Sequence, residues 1–209
     1  MDNPEGTQSS DRLITASVEK TQKEQQWQQQ INKLGHVTDS LGKPIDPGVF
    51  ETVVALNLFD IHTIQSCEGH LDQGVAAPWV EVQAPETDTS KALRRQANQL
   101  ADTIETLEHE ERPDEELAPL YQALHRLHRE IRHPQLEETQ KVMHVLTEFY
   151  QARQVPYERL LTIHGNRIES QGAIFQEIIS PEERDQKLLE YQQEMQAFTT
   201  FLKNKYLSS

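Results

Sequence analysis

The pentapeptide Ser66-Cys67-Glu68-Gly69-His70 brings a thiol, a carboxylate and an imidazole into five residues, and Cys67 is the only cysteine in the chain. The thiolate is the reactive form of cysteine. An imidazole three residues on, helped by a helix N-terminus or a cation, would lower the thiol's pKa from about 8.5 toward neutrality. On that chemistry Cys67 is a candidate nucleophile, His70 a candidate proton carrier, and Glu68 or Asp72 the carboxylate that orients it. Around these three, Ser66 adds a hydroxyl, Asp72 a second carboxylate, and Gly69 the freedom for the backbone to turn close to a ligand. Trp79 offers a flat ring for stacking, and Arg167 a guanidinium for an anion, as does Arg153. The plainer alternative makes Cys67 a small buried hydrophobe ending a strand, Glu68 and Asp72 turn carboxylates, and Trp79 a core residue.

Thiolate and imidazole are also zinc ligands, so Cys67 and His70 could form half of a four-ligand site that His62, Asp72 or His164 would complete. No second Cys-x-x-Cys or His-x-x-His pairs with them, so no metal is expected and no cofactor is specified. His125 and His128, three residues apart, lie among Arg126, Arg129, Arg132 and His133. A solvated basic face answering the acidic stretch from Asp102 to Glu116 explains that cluster more simply than a metal. Walker, Rossmann, Gly-x-Ser-x-Gly and metalloprotease patterns are absent.

The elements that must hold these residues follow from the patterning. Asp46-Pro47-Gly48 ahead of Val49, Phe50, Val53, Val54 and Leu56 predicts a helix capped by Asp46, with proline at its first position, ending near Asn57 to Asp60. His62–Cys67 and Trp79–Gln83 read as strands paired antiparallel, joined by a connection from Glu68 to Ala77. Upstream, Met1 to Asp11 reads as frayed, and a glutamine-rich helix from Arg12 to Leu34 carries Trp27, Ile31 and Leu34 on one face. Downstream, Leu93, Ala97, Leu100, Ile104 and Leu107, then Leu117, Leu120, Leu124, Leu127 and Ile131, form two helical seams split at Arg112-Pro113-Asp114, which predicts an antiparallel hairpin ending at His133-Pro134. A third helix follows to Tyr150. Leu161 to Ser170 then alternates around Gly165-Asn166 as a short hairpin, and Ser180-Pro181-Glu182-Glu183 opens a last helix through a capping box.

Gly42-Lys43-Pro44-Ile45-Asp46, Ser66-Cys67-Glu68-Gly69-His70-Leu71-Asp72, Pro78-Trp79-Val80 and Arg167-Ile168-Glu169-Ser170-Gln171-Gly172 together resemble a family of uncharacterised bacterial proteins. That resemblance brings no activity with it. More distantly, Asp46, Asn57, Thr63, Ser66, Cys67, Gly69 and Trp79 are similar to the outline of the wybutosine-synthesis methyltransferases, which modify a tRNA base. That likeness implies a nucleotide or S-adenosylmethionine ligand. His70 stands where that family has arginine, which replaces a permanent cation by a titratable one.

The chain has 209 residues and a formal charge of -14, from 34 acidic and 20 basic side chains. That average field repels polyanions and so disfavours nucleic acid as a partner. Mean hydropathy is -0.72, no apolar run approaches the roughly 20 residues needed to cross a bilayer, and one cysteine suits a reducing compartment. The expectation is a cytoplasmic α+β protein without a membrane segment. Residues 1–40 would be an N-terminal flexible segment and helix. Residues 41–209 would be one domain with a small, mainly antiparallel sheet of about four strands, helices packed on it and the helical hairpin inserted at about 88–133. Its expected function is a binding or catalytic site for a small, nucleotide-like molecule centred on Ser66–His70, with self-association through the helices. The alternatives are an S-adenosylmethionine-dependent RNA-modifying enzyme and a non-enzymatic helical interaction protein.

Overall fold

The computed structural model describes residues 5–72 and 74–209, with side chains described from Val18 onward except at positions 176 and 177. Two compact units arise, 1–82 with 142–209 and, separately, 83–141.

The first unit is built on a four-stranded antiparallel sheet of β1 (Thr63–Cys67), β2 (Trp79–Val82), β3 (Leu161–His164) and β4 (Arg167–Ser170), in the order β1-β2-β4-β3. The two expected strand pairs join through β2 and β4, with Val80 opposite Ile168. Alternation decides the faces. Val80, Val82, Leu161 and Ile168 are buried, whereas Trp79 and Glu81 point to the other side. The predicted two-residue turn closes β3 to β4 with His164 opposite Arg167. Gly165 there takes φ +65°, as a primed hairpin turn requires.

On the buried face lies α2 (Pro47–Leu58), whose Val49, Thr52, Val53, Val54, Ala55 and Leu56 are all buried. A helix this apolar on every side belongs in the middle of a core. It is covered by α5 (Pro181–Ser208), which contributes Met195, Phe198 and Leu202, and Thr52 meets Thr199 across that packing at 2.6 Å. The predicted Ser180–Glu183 capping box is formed at the start of α5. Helix α1 (Glu5–Leu34) docks Trp27, only 5% exposed, into the same core. The expected fraying of Met1 to Asp11 falls partly outside the described residues, and α1 is helical from Glu5 on.

The second unit holds α3 (Asp88–His109) and most of α4 (Asp114–Tyr150). Its seams are where periodicity put them, with Ala97, Ile104 and Leu117 buried and the flanking charges exposed. Tyr121 hydrogen-bonds Glu108 from one helix to the other. The end expected at His133-Pro134 is corrected: α4 runs through Pro134 to Tyr150, so the second arm and the third helix are one element. Proline removes a single N–H, and Pro134 and Glu130, whose carbonyl loses that partner, both sit on an exposed stretch where water can replace the bond. No helix among the described residues is long and apolar enough to cross a membrane.

Candidate functional site

Strand β1 is an edge strand, and beside it the chain between α1 and α2 folds into a small loop. Thr38 bridges Pro44, and the Asp39 carboxylate accepts the N–H groups of Leu41 and Lys43, each at 2.8 Å. This is an Asx-type turn closed on itself, with Gly42 at φ +78°. Between that loop and β1 lies a cavity of about 420 Å³, walled by residues that include Lys43, Asp46, Ser66, Cys67, His70 and Trp79.

Asp46 stands at the N-cap of α2 but does not cap it. Its carboxylate instead accepts the backbone N–H of Glu68 at 3.1 Å, while the Glu68 carboxylate accepts the N–H of Gly48, in the first turn of α2, at 2.8 Å. The two segments cap each other, and Gly48 leaves room for this, since a Cβ there would stand 2.8 Å from Glu68 Oε2. Glu68 is thereby turned to the helix. The carboxylate that stands beside His70 is that of Asp46, whose Oδ2 is 3.6 Å from His70 Nε2.

Asp46, Cys67 and His70 each bring one ligand atom to within 4.8 Å of the others, and among the described residues no other group of three His, Cys, Asp or Glu does so. They come from the start of α2, the end of β1 and the following connection. That connection is pinned by Gln192 of α5, which donates to the Glu68 carbonyl at 3.0 Å. Gly69 adopts φ +84° and fits so closely that a Cβ would lie 2.7 Å from the Ala77 carbonyl carbon and 2.8 Å from Leu188. Its N–H points at Cys67 Sγ, 3.3 Å away.

The electrostatics reverse one expectation. His70 was expected to draw the Cys67 pKa down; instead burial pushes the thiol up, and the Asp46 and Glu68 carboxylates add to the rise, opposed only by the Gly69 N–H. Cys67 Sγ lies within 4.8 Å of an Asp46 carboxylate oxygen. Burial and the two carboxylates thus oppose the thiolate that an activated nucleophile requires.

The other candidates are dispersed. Ser66 and Trp79 line the cavity, and Cys67 faces Trp79 across the β1–β2 pairing. Asp72 is exposed and outside the cavity wall. Arg167 stacks on the Trp79 ring, 4.1 Å from its centroid, and pairs with Glu81 at 3.4 Å, so its charge is spent behind the tryptophan. Arg153 is committed to buried Glu194. His164 is on β3, at the opposite edge of the sheet, where it meets Glu169 at 3.2 Å, and His62 lies 4.0 Å from Asp60. Neither belongs to the Asp46 cluster. His125, His128 and His133 are exposed on α4.

Sequence reasoning took Asp46 as a helix cap and gave Lys43, though within a quoted motif, no role at the site. The signals for Asp46 were its places in the Gly42–Asp46 motif and in the outline that resembles the methyltransferases. Comparison with protein-family models, with curated proteins and with solved structures finds no match for this chain.

Proposed function

We propose that the protein binds a nucleotide-like small molecule in the cavity beside β1. The observation that carries this reading is the convergence of Asp46, Cys67 and His70, from three separate elements, on the wall of a cavity of about 420 Å³. Ligand pockets commonly span roughly 300–1,000 Å³ and combine an apolar wall with a few convergent polar groups. Here the apolar wall includes Ile45, Val53 and the Trp79 ring, and Lys43 supplies a basic side chain. An RNA substrate is less well served, since Asp39 and Asp46 line the same cavity as Lys43.

The test is thermal unfolding against a panel of nucleosides, nucleotides and S-adenosylmethionine. A cognate ligand at 100 times its Kd should stabilise the protein by about 2.7 kcal/mol. The shift should shrink in Cys67→Ala and His70→Ala. A panel without a shift, or shifts equal in both variants and the parent, would sink the reading.

A further inference from the structure

We propose that Asp46, Cys67 and His70 form a three-ligand site for a divalent zinc-class ion, with the fourth coordination position open to the cavity. The inference deepens the ligand site proposed above, and rests on that reading only for what occupies the fourth position.

Distance argues first. His70 Nε2 and Asp46 Oδ2 are 3.6 Å apart, too far for a good direct hydrogen bond. Two ligands bound to one tetrahedral ion at about 2.1 Å each stand about 3.4 Å apart. The pair is already spaced as ligands of a common ion are, and the cysteine completes a triangle no wider than 4.8 Å.

The donor set argues second. One sulfur, one imidazole nitrogen and one carboxylate oxygen suit zinc, and three protein ligands with an open fourth place is the pattern of zinc sites that act on a bound molecule rather than merely brace a fold. All three residues line the same cavity, so water or a donor atom of the cavity's occupant can take the remaining position.

Support from outside the ligand set argues third. Metal ligands are usually aimed by hydrogen bonds from a second layer. Asp46 Oδ2 accepts the Glu68 N–H at 3.1 Å and Cys67 Sγ accepts the Gly69 N–H at 3.3 Å. Both donors are backbone groups of the connection that also carries His70. The tight seat of Gly69 against Ala77 and Leu188 keeps its N–H in place. Each donor is aimed at the atom that its ligand would offer to the cation.

The experiment uses the full chain, stripped with a chelator and titrated with cobalt(II) as a spectroscopic substitute for zinc. The expected result is a thiolate-to-cobalt charge-transfer band with tetrahedral d–d absorption, saturating at one equivalent and erased by zinc. Cys67→Ser should abolish the charge-transfer band, and Asp46→Asn and His70→Ala should each weaken zinc binding by about 100-fold or more, with unchanged circular dichroism showing that the variants fold. Absence of the band in the parent protein, or a band indifferent to Asp46→Asn and His70→Ala, overturns the site. Repeating the nucleotide panel on stripped and zinc-loaded protein separates the two readings. A cobalt band with no organic ligand leaves the metal site standing alone, and a ligand bound without any cobalt band refutes the metal and keeps the cavity.

Discussion

Glu68 separates a structural account of the pentapeptide from a catalytic one. Its carboxylate accepts the Gly48 N–H at 2.8 Å at the N-terminus of α2, where a side-chain acceptor contributes about 1 kcal/mol and a negative charge beside the helix dipole about 0.3–1 kcal/mol more. Glu68→Ala loses both and should cost about 1.5–2 kcal/mol. Glu68→Gln keeps an acceptor oxygen and should cost about 0.5 kcal/mol, the charge–dipole part alone. At roughly 2–4 °C per kcal/mol for a chain of this size, Tm should fall by about 3–8 °C and by about 1–2 °C respectively. Thermal and urea unfolding give the stabilities, and cobalt titration of the same samples reads the site. Glu68→Gln should bind cobalt within about threefold of the parent, because the backbone N–H that Glu68 offers Asp46 survives the substitution. Loss of cobalt or ligand binding in Glu68→Gln at unchanged stability would refute this reasoning and return Glu68 to the chemistry.

Four other outcomes are expected. Glu194 is fully buried and accepts from Tyr150, from Arg153 at 3.0 and 2.8 Å, and from Arg159 at 3.4 Å; Glu194→Gln should cost about 3 kcal/mol in urea unfolding, and a loss under 1 kcal/mol would show that the arginines find water without penalty. Gly69→Ala should cost about 2–4 kcal/mol and abolish cobalt binding, whereas Gly74→Ala, at φ +67° with open space around it, should cost only about 1 kcal/mol; equal costs would mean the Ala77–Leu188 seat is soft. In chelator-stripped protein Cys67 should react with iodoacetamide more slowly at neutral pH than a free cysteine, and Asp46→Asn should speed it, because burial first and the neighbouring carboxylates second raise its pKa. Since the folded thiol holds its proton more tightly than the unfolded one, the stability it contributes is complete below the unfolded value near 9.0 and is lost as pH climbs through the higher folded value; a Cys67→Ala variant with the same alkaline stability profile as the parent would contradict this.

Local pattern determined much of this protein. Alternation in Trp79–Val82, the Gly165-Asn166 turn, the Ser180–Glu183 box and the seams of α3 and α4 each depend on neighbours a few residues away, so the α+β class, the four antiparallel strands and the inserted helices were legible from the chain alone. Pro134 misled because a helix boundary depends on whether the surroundings can replace one lost hydrogen bond, which a residue type does not encode. The site divides along the same line. Cys67, His70, Ser66 and Trp79 were identified by their types and stand on one cavity wall. Which carboxylate stands beside them was decided by tertiary structure. Glu68 is adjacent to Cys67 in the chain yet serves α2, while Asp46, 21 positions upstream, faces the thiol and the imidazole. Sequence neighbours on an extended chain leave in different directions, and only the docking of α2 against β1 brings Asp46 into reach; the same packing buries the thiol and pushes its pKa up where adjacency to His70 had suggested the opposite.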